Sequence, residues 1–431
     1  MHRRDYQIID KADSKKLTEL LCQEGQLLLP LVELITHTEM ALDEVIDVTG
    51  RAAIEAVLTL SAQEVAGAKH PGRKAGKIRW HGRQRTTVPL SDRKLRVDKP
   101  RLRRKGSGPG QEVEIPAYEA ILEHSCLGRR MLEILMMGVS TRNYRRVIPQ
   151  MAETVGVSKS NVSREFIDAS AETLKHLCER RFDEHEIAIV YIDGIQYGQL
   201  HVIAALGVDT QGYKHVLGLR EGASENAEVV KDLLVDLVER GLSPKRRRLF
   251  VIDGSKALRA GITQVFGSRT PVQRCRNHKM RNVLGYLPEE RKADVEAAMK
   301  GAFKLTANEG IRKLEKLAQW LDREYPSAAG SLREGLSEMF TINRLGLPAT
   351  LRRCLASTNV IESPYSGVRE KTGRVKRWRD GRMALRWTAS ALLSIEKRMR
   401  RIMGYQQLWM LEAALKDLEE KERVAVKEKV A

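Results

Sequence analysis

The 431-residue sequence predicts a multidomain α+β protein. Residues 14–68 and 128–180 place apolar side chains at the three- and four-residue spacing of helices, whereas residues 72–110 alternate with period two. Residues 181–287 switch repeatedly between strand and helix patterns. Because a single hydrophobic core stops growing near about 250–300 residues, we expect these patterns to belong to several units.

The N-terminal region, residues 1–68, is expected to form a small helical unit whose apolar faces serve as core or as a dimer contact. The next region, 69–110, is expected to form a basic β-ribbon. Between Lys69 and Lys105 there are fifteen Lys or Arg residues and two acids. A stripe of one sign favours contact with phosphates, although a solvated hairpin would show the same pattern.

Residues 111–180 are expected to form a helical DNA-binding domain, in which residues 150–168 resemble a helix-turn-helix unit. Gly156 would supply the turn, and Ser158 would cap the second helix. An ordinary helical hairpin is the alternative interpretation. The candidate DNA-binding side chains on the second helix are Lys159, Asn161 and Arg164.

Two apolar, strand-like runs within residues 181–287 each end on an Asp-Gly dipeptide, at Asp193 and at Asp253. Aspartate is a poor strand former and is rarely buried alone, although each dipeptide could simply open a turn. Three successive strands are followed by a helix for which Ser224 is the expected cap. This order predicts a mixed sheet of the ribonuclease H-like kind, with the second aspartate strand beside the first. Paired carboxylates suit Mg²⁺ or Mn²⁺.

A mostly helical segment at 288–355 interrupts the strand pattern, and residues 356–404 are expected to complete the domain that begins at 181–287. A C-terminal helix at 405–431 is expected to pack on the body or on a second subunit. Glu362 is the candidate third carboxylate, because it follows the helical segment and precedes a second basic stripe. A glutamate that begins a helix is an equally simple interpretation of this residue.

The composition favours a nucleic-acid partner. The net charge is +19 and the sequence pI is about 9.7, so the protein attracts polyanions. The five scattered cysteines do not fit a disulfide framework, and no charge-free stretch reaches the roughly 18 residues of a membrane span. We therefore expect a cytoplasmic, nucleoid-associated protein that binds no membrane and has no organic cofactor.

Together, the motifs resemble those of the Mutator-like DDE transposases of bacterial insertion sequences. The resemblance rests on Asp193, on Asp253 sixty residues later, on Cys275 and His278 in Cys-Arg-Asn-His, and on Glu362 in Asn-Val-Ile-Glu-Ser. It implies a ribonuclease H-like catalytic domain that an α-helical insertion interrupts. It also implies that the two aspartates and the glutamate hold the catalytic Mg²⁺ or Mn²⁺ ions.

The resemblance also places Cys275 and His278 near the active site. Half of a zinc site is the alternative, but zinc requires four ligands and the sequence has no second Cys-x₂-Cys or His-x₃-His pair. His278 could contact the scissile phosphate or hold neighbouring groups in place, while Cys275 packs. Pro364 lies where the family's catalytic helix starts, so we expect that helix to begin near Asn359 or to restart at Ser363.

The second basic stripe, from Arg369 to Arg401, contains twelve Lys or Arg residues and three acids. We expect it to follow the phosphates of the substrate. Trp378 and Trp387 lie within the stripe and could either stack on an unpaired base or pack in the core. The candidate phosphate contacts are Arg369, Lys371, Arg374, Lys376 and Arg377.

The resemblance implies a DNA transposase that binds the terminal inverted repeats of its own element and catalyses strand cleavage and strand transfer. The expected partners are double-stranded DNA, as element ends and target, and further copies of the chain in a homodimer or higher oligomer. Two alternatives remain. A ribonuclease H-like nuclease or junction resolvase would use the same acids without strand transfer, and a helix-turn-helix regulator would leave the acids idle.

Overall fold

The structure of the chain is a computed structural model. It describes residues 42–70, 76–90, 94–106, 112–123, 127–142, 144, 154–155, 158–222 and 226–430. The chain divides into two compact units, residues 1–166 and 167–431, and the boundary falls inside one helix, Lys159–Glu179. No helix within the described ranges is both long enough and apolar enough to cross a membrane.

The N-terminal unit contains the β-ribbon that the sequence predicts. Strands β1 (Ile78–Pro89) and β2 (Lys94–Arg104) pair antiparallel, and helix α1 (Leu42–Ala66) packs on them. Because successive strand residues point to opposite faces, the ribbon has one dry face. The core beneath this face includes Leu58, Val88, Leu95, Val97 and Leu102. The exposed arginines of the ribbon include Arg79, Arg83, Arg85 and Arg96.

The chain beyond the ribbon is less helical than its periodicity predicts. Its elements are β3 (Glu112–Val113), α2 (Pro116–Glu123), α3 (Leu127–Met136) and β4 (Thr154–Val155). β4 pairs antiparallel with β2, so the helical prediction for 128–180 is wrong at these two residues. The edge of the ribbon offers backbone hydrogen bonds, and local periodicity does not reveal such a partner.

Helix α4 (Lys159–Glu179) begins where the second helix of the predicted helix-turn-helix unit was expected. The hydroxyl of Ser158 accepts a hydrogen bond from the N–H of Asn161 at 3.3 Å, so the predicted cap is confirmed. The turn at Gly156 and most of the first helix lie outside the described residues. The helix-turn-helix unit therefore stays a prediction.

Five strands form one mixed sheet in the C-terminal unit. They are β5 (Ile187–Tyr197), β6 (Leu200–Asp209), β7 (Lys214–Glu221), β8 (Leu249–Ile252) and β9 (Val272–Arg274), arranged in the order β7-β6-β5-β8-β9. The first three form an antiparallel meander, whereas β8 runs parallel to β5, and β9 runs parallel to β8. The predicted position of the second aspartate strand beside the first is confirmed.

Parallel neighbours require crossover connections, which are α5 (Ala227–Glu239) and α6 (Lys256–Phe266). The expected inner stripe of α5 is buried in the core beneath the sheet and consists of Val230, Leu233, Leu234 and Leu237. The cap expected at Ser224 is wrong, and Ser224 itself lies outside the described residues. Asn226 caps α5 instead, because its side chain accepts the N–H groups of Glu228 and Val229.

A helical block with its own core follows the last strand. Helix α7 (Arg276–Leu284) leads into α8 (Glu289–Ala302), α9 (Ala307–Leu321), α10 (Pro326–Arg333), a 3₁₀ turn (Ser337–Phe340), α11 (Thr341–Arg344) and α12 (Ala349–Leu355). Leu314, Leu321, Met339 and Phe340 are fully buried in this core. Thr306 and Glu309 form a capping box that starts α9. The segment from 288 to 355 is thus mostly helical, as its pattern predicts.

The face of the sheet opposite to α5 and α6 is covered by α13 (Asn359–Thr372) and α14 (Gly381–Glu396). Thr388 of α14 shares a hydrogen bond with the buried Tyr197 of β5 at 2.8 Å. A second 3₁₀ turn (Tyr405–Gln407) leads into α15 (Leu408–Val430). The apolar side of α15 lies against the body of this unit, since Leu408, Leu411 and Leu415 are buried.

Candidate active site

Asp193 lies where the parallel pairing of the two central strands ends. The last paired residues of β5 and β8 are Ile192 and Ile252, so Asp193 and Asp253 are the next residues on neighbouring strands. The prediction that Asp193 ends its strand is wrong, because β5 continues to Tyr197. β6 pairs with this continuation and keeps the backbone extended after β8 has stopped.

Asp253 opens a turn, as an Asp-Gly dipeptide often does. Its Oδ1 accepts the N–H of Ser255 at 2.8 Å, and Ser255 in turn caps α6. Gly254 has φ of +113°, a conformation that strongly favours glycine. The turn and a metal-binding role are compatible, because a carboxylate has a second oxygen and further lone pairs.

Asp193 has an unusual electrostatic environment. Its side chain is 9 % exposed, and burial raises the pKa of its carboxyl to about 7, helped by the negative charge of Asp253 and, more weakly, of Glu362. A backbone hydrogen bond at Gly194 and the charge of His278 act in the opposite direction. The charges of all three predicted acids therefore act together at this edge of the sheet.

Glu362 lies in the first turn of α13, which begins at Asn359 as expected and contains Pro364 without a restart. Thr358, the residue before the helix, donates its hydroxyl to Glu362 Oε1 at 2.5 Å. His278 Nε2 lies 3.7 Å from the same oxygen. The helix thus begins close to the sheet edge and carries its carboxylate toward α7.

Cys275 and His278 belong to the same group. Cys275 caps α7 and is completely buried, and its Sγ accepts hydrogen bonds from the N–H of His278 at 3.5 Å and from the N–H of Thr358 at 3.4 Å. The potential ligand atoms of Cys275, His278 and Glu362 lie within 4.8 Å of one another. We refer to these three residues as the thiol cluster.

Hydrogen bonding shifts the pKa values of both α7 residues. Burial acts to raise the pKa of the Cys275 thiol, but hydrogen bonds from His278 and Thr358 outweigh it and lower that pKa. The interaction with Cys275 is the main cause of the raised pKa of His278, against the effect of burial, and Glu362 adds to it. The arrangement favours a thiolate beside an imidazolium.

Sequence patterns did not identify two residues that organise this site. Thr358 contacts Cys275 and Glu362, and Tyr365 donates its hydroxyl to the backbone oxygen of Asp193 at 3.0 Å. Their sequence signal is slight: Thr358 lies four positions before Glu362 and Tyr365 three positions after it, so all three share one helical face.

A cavity of about 670 Å³ beside α7 was also not anticipated from the sequence. Lys256, at the start of α6, and Arg281 and Tyr286, near the end of α7, contribute to its lining. All three side chains are exposed. The cavity therefore combines two cations with an aromatic ring in the same unit as the acids.

The predicted phosphate contacts of the second basic stripe lie at the end of α13 and in the segment that follows. Arg369, Arg374, Lys376 and Arg377 are exposed, whereas Lys371 is half-buried. Trp378 is also half-buried, and its ring packs 4.4 Å from that of Tyr197 and 6.4 Å from that of Trp387. The two tryptophans thus belong to an aromatic group that packs on the sheet.

The predicted DNA-binding residues of α4 belong to the N-terminal unit. Lys159 and Arg164 are exposed, and Asn161 is half-buried. The guanidinium of Arg164 donates to the side-chain oxygen of Asn161, one turn earlier on the helix. Asn161 and Arg164 thus lie on one side of α4, and Lys159 is the first residue of the helix.

Carboxylates and a histidine that gather where the parallel pairing of two strands ends offer oxygen and nitrogen ligands to a metal ion. The particular class follows from comparison with known proteins. The chain belongs to the Mutator family of transposases, whose family model matches residues 23–398.

Individual relatives are insertion-sequence transposases. The transposase for element IS256 in transposon Tn4001 of Staphylococcus aureus is 26 % identical over 260 residues, which cover 56 % of this chain and 63 % of that protein. The transposase for ISRM5 of Rhizobium meliloti (strain 1021) is 27 % identical over 259 residues, covering 56 % and 61 %. That for IS1081 of Mycobacterium tuberculosis is 24 % identical over 302 residues, covering 66 % and 70 %. The chain thus spans less than two thirds of the first two relatives.

Proposed function

We propose that the protein is a DNA transposase that binds the terminal inverted repeats of its insertion sequence and catalyses metal-dependent strand cleavage and strand transfer. The observation that carries the proposal is the buried carboxyl of Asp193, whose pKa is raised to about 7 near Asp253 and Glu362. Carboxylates crowded in this way weaken a fold unless a cation joins them. Membership of the Mutator family supports the same assignment.

The strand order supports a ribonuclease H-like catalytic domain. The antiparallel meander β5-β6-β7 continues into the parallel strands β8 and β9, and the helical block lies between β9 and the glutamate helix α13. We interpret the block at 288–355 as an insertion between the two parts of the catalytic domain, 181–287 and 356–404. The ribbon and helix α4, the predicted second helix of the unit at 150–168, would then bind DNA.

Asp193, Asp253 and Glu362 would hold Mg²⁺ or Mn²⁺, because carboxylate oxygens are the ligands that these hard cations prefer. The donor set fits such an ion: Asp253 gives one oxygen to its turn and keeps the other, and a cation would relieve the repulsion that raises the pKa of Asp193. When bound, the ions would lower the pKa of the attacking hydroxyl and stabilise the leaving oxygen.

Thr358 and His278 would orient the groups of the active site. The hydroxyl of Thr358 holds one oxygen of Glu362 and so restricts the orientation of the carboxylate. The raised pKa of His278 keeps a proton on its imidazole over a wider pH range. The N–H at Nε2, 3.7 Å from Glu362, would then donate either to that carboxylate or to an oxygen of the scissile phosphate.

The exposed cations of the second basic stripe and those of the cavity beside α7 would bind the phosphates of the DNA strands. Arg369 and Arg374 lie at and just beyond the end of the glutamate helix, and Lys256 follows Asp253 by three positions. Phosphate contacts of this kind position a strand without reading its sequence. Base recognition is assigned to the exposed side of α4, through Lys159, Asn161 and Arg164.

Joining of a labelled element end to a target plasmid in Mg²⁺ tests this function. We expect joined product with the terminal repeat of the element and none with a scrambled repeat or with a chelator present. Mg²⁺-dependent nicking without joining would favour a nuclease or resolvase. Repeat-specific binding without nicking would favour a DNA-binding regulator.

A further inference from the structure

Cys275 has surroundings that a merely packed thiol does not need. Its Sγ accepts hydrogen bonds from the N–H of His278 at 3.5 Å and from the N–H of Thr358 at 3.4 Å. It also lies at the N-terminus of α7, where the helix dipole favours negative charge. Donors directed at one sulfur stabilise a thiolate, which is the form that binds metals.

The other two members of the thiol cluster complete a ligand set. His278 Nε2 lies 3.7 Å from Glu362 Oε1, and the potential ligand atoms of all three residues fall within 4.8 Å of one another. The side chains of His278 and Glu362 are 27 % and 31 % exposed, so an ion can reach the buried sulfur from their side. Thiolate, imidazole and carboxylate are the three ligand types that proteins use for zinc.

We propose that the thiol cluster is a binding site for a thiophilic divalent cation such as Zn²⁺, with water as the fourth ligand, and that this ion inhibits the enzyme. The sequence alone argues against zinc, because Cys275 and His278 have no second Cys or His pair to complete four ligands. The structure supplies the third ligand from α13, and three protein ligands with one open position form a recognised zinc geometry.

Inhibition follows from the shared residue. Glu362 cannot fully serve both the thiol cluster and the aspartates, so Zn²⁺ at the cluster withdraws one carboxylate from the proposed Mg²⁺ site. Mg²⁺ itself competes poorly for the cluster, because it prefers oxygen ligands and retains its water. The inhibitory effect rests on the proposed transposase function, whereas binding of the ion does not.

Cobalt binding by the full-length protein tests the site independently of activity. Co²⁺ bound to a thiolate gives a charge-transfer absorption band, and we expect one equivalent of Co²⁺ to produce it and Zn²⁺ to abolish it. Cys275→Ser should lose the band, whereas the matched variants Cys178→Ser and Cys354→Ser should keep it. His278→Gln, which retains the sulfur, should need more Co²⁺ and serves if Cys275→Ser does not fold.

The regulatory effect is measured as the ratio of nicking rates without and with Zn²⁺, in excess Mg²⁺, within each variant. We expect Zn²⁺ to lower the wild-type rate by about tenfold or more, since it removes a ligand of the catalytic ions. In Cys275→Ser the ratio should approach one, whatever the basal rate. A band that persists in Cys275→Ser, or no band in the wild type, overturns the site. Equal inhibition of both proteins overturns the regulatory role.

Discussion

Two polar clusters lie near the connection from β9 to α7, and they differ in how their buried charges are compensated. In the first, Arg274, Arg276 and Lys279 are almost completely buried, and each is matched: Arg274 by Glu338, Arg276 by the backbone oxygen of Met339, and Lys279 by that of Ser331. In the second, the acid triad of Asp193, Asp253 and Glu362, the charge of His278 opposes the effect of burial and of the neighbouring acids on Asp193 but does not outweigh it, and the pKa of that carboxyl stays raised.

The comparison shows that buried polar groups serve two different purposes within the C-terminal unit. Arg274 connects the sheet to the helical block, because it lies on β9 and its acceptor Glu338 on the 3₁₀ turn, whereas Arg276 and Lys279 join α7 to that turn and to α10. The acid triad keeps an electrostatic imbalance that a ligand can relieve. Substitutions in the first cluster should therefore cost stability, and substitutions in the second should cost activity.

The largest expected effect is loss of cleavage on substitution of the triad. Asp253→Asn keeps the side-chain oxygen that accepts from Ser255, so the turn survives while the charge is removed. Loss of several kcal/mol of transition-state stabilisation corresponds to about a thousandfold slower Mg²⁺-dependent nicking. The matched control is Asp232→Asn, an exposed carboxylate on α5. Near wild-type nicking by Asp253→Asn would remove this residue from the site.

In the matched cluster, Arg276→Ala should lower stability. Its guanidinium donates twice to Met339 O, at 3.0 and 2.9 Å, and lies 4.6 Å above the ring of Phe303. Removal leaves Met339 O with only the hydrogen bond from Gln273 and opens a cavity, at a cost of about 3 kcal/mol in the free energy of unfolding. Urea denaturation measures it, with the exposed Arg323→Ala as control. If both variants unfold alike, the cluster does not hold the block.

In the presence of a chelator, Asp193→Asn should raise the free energy of unfolding rather than lower it. The folded-state pKa of Asp193 is about 7 and its ordinary value is 3.8, so the folded protein binds more protons across this range. Wild-type stability therefore falls as the pH rises from about 4 to about 7, and the full penalty of the buried charge is present above that. The amide removes this penalty, which we put at about 4 kcal/mol at pH 8.

Urea unfolding of both proteins at pH 5 and pH 8 measures this difference. The advantage of Asp193→Asn over the wild type should grow between the two pH values, and Mg²⁺ should stabilise only the wild type. The exposed Asp232→Asn again provides the control, since it should respond equally at both pH values. An advantage that does not change with pH would mean that Asp193 carries no electrostatic strain.

Much of the sheet could be predicted from the sequence, because its signals are local. The apolar runs before Asp193 and Asp253 and the helix between them determine a parallel pair. Local sequence patterns gave wrong predictions where pairing with another strand determines the structure. Pairing with β6 extends β5 beyond Asp193, and pairing with β2 makes the two residues of β4 a strand.

The acids could be predicted as residue types but their surroundings could not. Thr358 meets Cys275 across 83 positions, and no periodicity or composition links the two. The cap at Asn226 was missed for a simpler reason: Ser224 and Asn226 are equally good cap residues, and only the backbone distinguishes them. The contacts that orient the site are tertiary. The motif therefore predicts which residues are the acids, but not how their side chains are arranged.

The smallest expected effect concerns Thr358, a neutral and fully buried residue whose hydroxyl orients Glu362. Thr358→Val removes the hydroxyl at similar volume and leaves the carboxylate free to rotate. Loss of a group that orients a metal ligand typically costs about ten- to a hundredfold, so we expect nicking to slow by that factor at low Mg²⁺ and to recover partly at high Mg²⁺.

Thr358→Ser keeps the hydroxyl and should retain most of the activity. Thr372→Val is the matched control, because Thr372 lies on the same helix, is buried, and donates its hydroxyl to the backbone oxygen of Val368. A purely structural role of Thr358 predicts instead that both valine variants melt lower and that neither changes its dependence on Mg²⁺. A shifted Mg²⁺ dependence in Thr358→Val alone would therefore separate orientation of the acid triad from packing, which is the distinction that the two clusters define.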